Sequence, residues 1–152
     1  MSPSPNRYHQ DISRNLEVLI ANFLEEHPIG KIYDAPFDVY LTPHDVFQPD
    51  LAFIANDRFS ILTHEGTNGA PTWVAEILSP GNSKLDRSTK KAVYASAGVD
   101  ELWIIDPNAK TIEVFRLQEN PNNPRETFPE SATFTSTCFP GLEFDSRKIF
   151  KQ

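Results

Sequence analysis

Residues 73–91 read WVAEILSPGNSKLDRSTKK. Trp73, Val74, Ala75, Ile77 and Leu78 make an apolar run, which predicts a strand over 73–78. Both of its faces are apolar, so it should lie at the centre of a sheet with cover on each side. Glu76 stands in the middle of this run. An ionised carboxylate in such surroundings is costly unless something compensates it. Ser79, Pro80, Gly81 and Asn82 break the strand. A helix follows, from about Asp86 or Ser88, either of which can cap it, to Ala97, with Gly98 as the stop signal.

Working outward from this stretch, helical spacing of Ile12, Leu16, Leu19, Ile20, Phe23 and Leu24 predicts a first helix, ended by His27, Pro28 and Gly30. A strand is expected over 36–41, with Phe37, Val39 and Leu41 on one face, and another over 50–54 (DLAFI). Gly66 and Gly69 fall in a polar loop without the strand-to-helix context of a phosphate-binding fingerprint. Beyond the second helix come a buried strand over 102–105, a turn and a returning strand over 111–117. Residues 118–130 hold three prolines and no apolar periodicity, which reads as a mobile loop. Short strands are expected at 132–137 and 142–144, then a tail. The fold class is α/β (α+β): a mixed sheet flanked by helices, with extra C-terminal strands. One domain over 9–152 follows a flexible N-terminus, 1–8.

Composition narrows the function. With 39% apolar and 23% charged residues the chain is globular. No apolar stretch approaches the roughly 18 residues of a membrane helix, so no membrane partner is expected. The first residues lack the apolar core of a secretory signal. One cysteine excludes an internal disulfide and a Cys-rich zinc site. A cytoplasmic protein fits. The net charge of −7 argues against a nonspecific nucleic-acid coat.

Lys90 bears directly on Glu76. Residues three, four and seven apart share a helix face, so Lys90 lies with Val93, Tyr94 and Ala97 on the apolar stripe that should meet the sheet. Its stem can reach back toward the strand. Two readings follow. Glu76 and Lys90 form a buried ion pair that only holds the helix on the sheet. Alternatively, Glu76 shares a divalent cation with Asp50, which opens the strand DLAFI directly after Pro49. Hard cations such as Mg²⁺ or Mn²⁺ take carboxylate oxygens and water. Such an ion would let Glu76 stay charged, acidify a water and hold a phosphate oxygen. Lys90 would then offset charge on a phosphodiester under attack.

The words PDLAFI, GAPTWVAEILSPGNSKLD, KKAVYASAGVDELWIIDP and FPGLEF, in this order and spacing, resemble the Uma family of restriction-endonuclease-like proteins. That family is a branch of the PD-(D/E)XK nuclease superfamily, and the resemblance covers roughly 9–150. It implies the restriction-endonuclease-like fold. It also implies that Asp50, Glu76 and the backbone carbonyl of Ile77 hold a metal ion. The usual lysine position holds Leu78 instead. In this branch the lysine moves to the following helix, four residues before a tyrosine, which gives Lys90 before Tyr94. The activity implied is metal-dependent hydrolysis of nucleic-acid phosphodiester bonds, DNA above all. A non-catalytic nucleic-acid-binding or interaction protein that keeps the fold is the alternative.

Secondary candidates are His9, which matches a histidine common at the start of the family's first helix, Glu17 on that helix, and Ser79 at the strand end. Each has a plainer reading: a surface histidine, an exposed helical acid, a turn serine. Asp86 reads as a helix cap rather than a ligand. The only basic cluster, Lys84, Arg87, Lys90 and Lys91 around Asp86, adjoins the proposed site. Lys84, Arg87 and Lys91 are therefore the candidates for nucleic-acid contact. An ordinary solvated helix start would look the same. A homodimer is expected, because two-fold assemblies are common among soluble proteins, and a second copy could build a longer groove.

Overall fold

The computed structural model of the chain describes residues 6–80 and 84–152, with the side chains of the second helix described from residue 87 onward. Helix α1 spans Arg7–Glu26 and buries Ile12, Leu16 and Ile20, four residues apart on one stripe. The Asn6 side chain accepts the His9 N–H and caps it. Next come β1 (Gly30–Asp34), β2 (Asp38–Tyr40), β3 (Val46–Phe47), β4 (Leu51–Ala55) and a 3₁₀ turn at Asn56–Ile61. They are followed by β5 (Gly66–Asn68), β6 (Trp73–Ile77), α2 (Lys84–Ala97), β7 (Glu101–Asp106) and β8 (Thr111–Arg116). The chain ends with β9 (Glu126–Phe128), β10 (Thr133–Thr135), β11 (Glu143–Asp145) and α3 (Ser146–Phe150).

The main sheet is six-stranded, ordered β1-β4-β6-β7-β8-β9. It is mixed: β6 and β7 run parallel, joined through α2, and the other neighbours are antiparallel. The apolar run thus lies at the sheet's centre. Trp73, Ala75 and Ile77 face one core with α1, β10, β11 and α3, where Trp73, Trp103, Phe139 and Phe144 meet edge to face and Phe134 stacks on Phe144. Val74 faces the other core with Tyr94, Leu102 and Ile104, under α2. A second sheet, β3-β2-β5, flanks this side and seals Val39 and Phe37.

Several elements depart from the sequence expectation. Helix α1 begins at Arg7, inside the segment expected to be loose, because Tyr8 Oη donates to the Phe150 carbonyl at 2.6 Å; residues 1–5 lie outside the described residues. Gly30 opens β1 rather than merely stopping the helix. A Cβ there would lie 2.5 Å from the Ile54 carbonyl oxygen, so only glycine lets β1 approach β4 this closely. Gly66 lies in a strand, its α-carbon pressed against the Asp38 backbone, whereas Gly69, at φ +135°, ends it. Helix α2 starts at Lys84, earlier than a cap at Asp86 or Ser88 would allow. Within 118–130, β9 pairs with β8 as the sheet's edge, where flanking prolines are tolerated. The expected tail forms α3, capped by Asp145.

Candidate active site at the ends of β4 and β6

In the register of β4 and β6, Leu51 pairs with Ala75. One step further along, Asp50 comes opposite Glu76, just beyond the last paired residues of β4 and β6. Antiparallel pairing therefore brings together two acids 26 positions apart in the chain. Asp50 Oδ2 accepts the Ile77 amide N–H at 2.7 Å, which ties the first acid to the backbone beside the second.

The two acids are served from opposite layers. From the α1 side, His9 Nε2 lies 3.4 Å from Asp50 Oδ1. His9 is buried rather than a surface histidine. Its pKa is raised, chiefly by the hydrogen bond to Asp50, with burial opposing and a hydrogen bond to the Ile77 backbone adding to the rise. From the α2 side, Lys90 Nζ lies 3.2 Å from Glu76 Oε2, and Tyr94 Oη donates to the same oxygen at 2.6 Å. Lys90 therefore reaches the strand acid, as its helix face implied. Burial pushes the Glu76 carboxyl up, and Lys90 and then Tyr94 pull it back. Phe47 of β3 sits over this group. Its ring meets Tyr94 edge-on at 5.2 Å and lies 5.4 Å from Lys90 Nζ.

Other candidates divide between two clefts that meet at His9. One, of about 480 Å³, is lined by His9, Arg14, Glu17, Asp34 and Asp50. Glu17 thus borders the same opening as Asp50, and its pKa is raised by burial and then by Asp34. The other, of about 240 Å³, is lined by Asn6, His9, Ser79, Arg87 and Asn108. Arg87 Nε is buried there with no hydrogen-bond partner among the described residues. Lys91 turns away from the acids. Its Nζ lies 4.3 Å from the Phe115 ring centroid and 3.4 Å from the Asn122 carbonyl. The Lys84 side chain lies outside the described residues.

The residues fit a small hard cation by donor type. Asp50, Glu76 and the Ile77 carbonyl could offer oxygen donors where β4 and β6 adjoin. Among the described residues no cluster of three or more His, Cys, Asp or Glu side chains makes a cage. Mg²⁺ is commonly held by one or two carboxylates with water and substrate phosphate, which such a pair can provide. Sequence reasoning missed Tyr94 and Phe47 as members of the site. Tyr94 was legible as part of an apolar helix face and as the tyrosine after Lys90 in the family resemblance, with no role assigned to its hydroxyl, and nothing in the sequence marks Phe47 as its neighbour.

The mixed sheet with acids at its strand ends and helices on both faces is that of a restriction-endonuclease-like protein. The Uma2 family, described as "Putative restriction endonuclease", matches residues 1–147, and the chain belongs to it. Among solved structures the chain is similar to a protein from Anabaena variabilis described as "a putative nuclease belonging to DUF820". That likeness has a TM-score of 0.77 at 21% identity, covering 99% of this chain and 84% of the other, and it shows the fold. No curated protein matches. Among the described residues no helix is long and apolar enough to cross a membrane.

Proposed function

We propose that the chain is a divalent-metal-dependent endonuclease that hydrolyses phosphodiester bonds of DNA. The observation that carries this reading is the meeting of Asp50 and Glu76 at adjoining strand ends with Lys90 3.2 Å from Glu76. Asp50, Glu76 and the Ile77 carbonyl hold Mg²⁺ or Mn²⁺; the bound ion supplies Lewis acidity toward a phosphate oxygen and a water. Lys90 stands ready to offset charge developing on the phosphoryl group. His9, bonded to Asp50 at the mouth of both clefts, is placed to carry a proton. Arg87 and Ser79 line the cleft that would receive a flanking phosphate. Lys84 and Lys91 add positive charge along the same helix, and a two-fold dimer would extend the groove.

A second reading has its own support. Lys90 and Tyr94 already compensate Glu76 without any ion, so the pair can be purely structural. Calorimetric titration of Mn²⁺ and Mg²⁺ into metal-free protein separates the two. Saturable binding that disappears in both Asp50→Asn and Glu76→Gln is expected. These variants should also abolish cleavage of plasmid DNA. A folded wild type that binds neither ion and cuts no DNA sinks the nuclease reading.

A further inference from the structure

We propose that Tyr94 is a positioning residue of the candidate centre: it fixes Glu76 through Oε2 so that Oε1 is the oxygen presented to a cation. This rests on the reading of Asp50 and Glu76 as metal ligands. Tyr94 Oη donates to Glu76 Oε2 at 2.6 Å, and Lys90 Nζ lies 3.2 Å from the same atom. A carboxylate oxygen offers about two lone-pair sites. Both contacts are made to Oε2, the one from Tyr94 as a hydrogen bond and the one from Lys90 as an ion pair. Glu76 is thereby shaped as a ligand through one oxygen, with its rotamer set from behind.

The two donors differ in kind. Lys90 has a long flexible stem, and its side chain is 27% exposed. Tyr94 is fully buried. Its carbonyl accepts the Gly98 and Val99 amides at 3.2 and 3.1 Å, anchoring its backbone at the helix end. The Phe47 ring closes on its outer side. Tyr94 is therefore the rigid contact and Lys90 the movable one. When Lys90 turns toward a substrate phosphate, Tyr94 keeps Glu76 in register. A serine or phenylalanine at 94 would give the glutamate no such hold: the first is too short to reach, and the second has no donor.

The test is Tyr94→Phe in the full chain, with Mn²⁺ titrated calorimetrically into the metal-free protein. Loss of a hydrogen bond behind a ligand typically weakens metal affinity by about tenfold to a hundredfold, and a loss in that range is expected. Thermal unfolding of the metal-free variant runs in parallel. A tyrosine with only a structural role would lower that midpoint yet leave Mn²⁺ affinity within twofold of wild type, and this result overturns the proposal. Should Tyr94→Phe unfold at the assay temperature, Phe47→Leu removes the ring that seats Tyr94 and carries the same test. If the wild type itself shows no saturable Mn²⁺ binding, the two-acid reading falls and takes this proposal with it. Wild-type binding that survives in Tyr94→Phe sinks the proposal alone.

Discussion

Lys90→Met tests how strongly Glu76 depends on its helix partners. Methionine keeps much of the stem beneath Phe47 but removes the cation 3.2 Å from the carboxylate. Stripping one partner from a buried pair costs about 3–5 kcal/mol, and at 19% side-chain exposure Glu76 is close to that regime. The loss has a ceiling, because Glu76 can escape by taking up a proton. Its ordinary pKa is 4.5, and each pH unit above that value adds about 1.4 kcal/mol to the cost of neutralisation. The rise already present in the wild type counts against that ceiling, so it lies below roughly 4 kcal/mol at about pH 7.5 and below roughly 1 kcal/mol at about pH 5. The sign follows from burial. A carboxyl whose folded pKa is raised contributes stability that is present below 4.5 and lost as pH rises through the folded value. Removing Lys90 raises that pKa further. Urea unfolding of metal-free wild type and variant should therefore show a loss of about 1–3 kcal/mol near pH 7.5 that nearly vanishes near pH 5. An equal loss at both pH values, or one below about 0.5 kcal/mol near pH 7.5, would refute the coupling.

His9→Gln should show pH dependence through Asp50. The bond to Asp50 raises the His9 pKa above 6.5, so its stabilisation is full below that value and fades as pH rises through the folded pKa. The thermal midpoint gap between wild type and variant should be wider near about pH 6 than near about pH 9; a constant gap contradicts the assignment. Gly30→Ala forces a Cβ to 2.5 Å from the Ile54 carbonyl and 2.6 Å from the Phe53 ring. A loss of about 1–3 kcal/mol in urea unfolding is expected, and an unchanged midpoint would show that β1 has room to retreat.

What was legible in the sequence was legible for local reasons. The run WVAEI announces a central strand, since alternation has nothing to distinguish when both faces are covered. Lys90 was found because helical spacing fixes its face whatever the partner turns out to be. The small strands escaped because their signal is not local. GKIYD, VF and GTN become strands through pairing, β1 against β4 and β5 against β2, and a backbone pressed against another backbone leaves only a glycine as its trace. His9 illustrates the same limit within the site. A single histidine near a helix start gives no hint of burial; Asp50 supplies it from 41 positions away. Tyr94 was placed correctly toward the core, but periodicity reports direction and says nothing of a hydroxyl's acceptor.

The strand register that joins Asp50 to Glu76 also fixes where this chain can tolerate a change in length. The 3₁₀ turn, β5 and their connections all lie between β4 and β6, and loop closure grows costly only slowly with added residues. Insertions there lengthen a connection without disturbing Leu51 opposite Ala75. A single residue inserted inside β6 ahead of Glu76 would instead swing that side chain from the α2 layer to the α1 layer. Tyr94 and Lys90 would be left facing an apolar side chain. Homologous chains that keep this site can thus differ widely in length between the two strands, while the spacing within each strand stays constant to the residue.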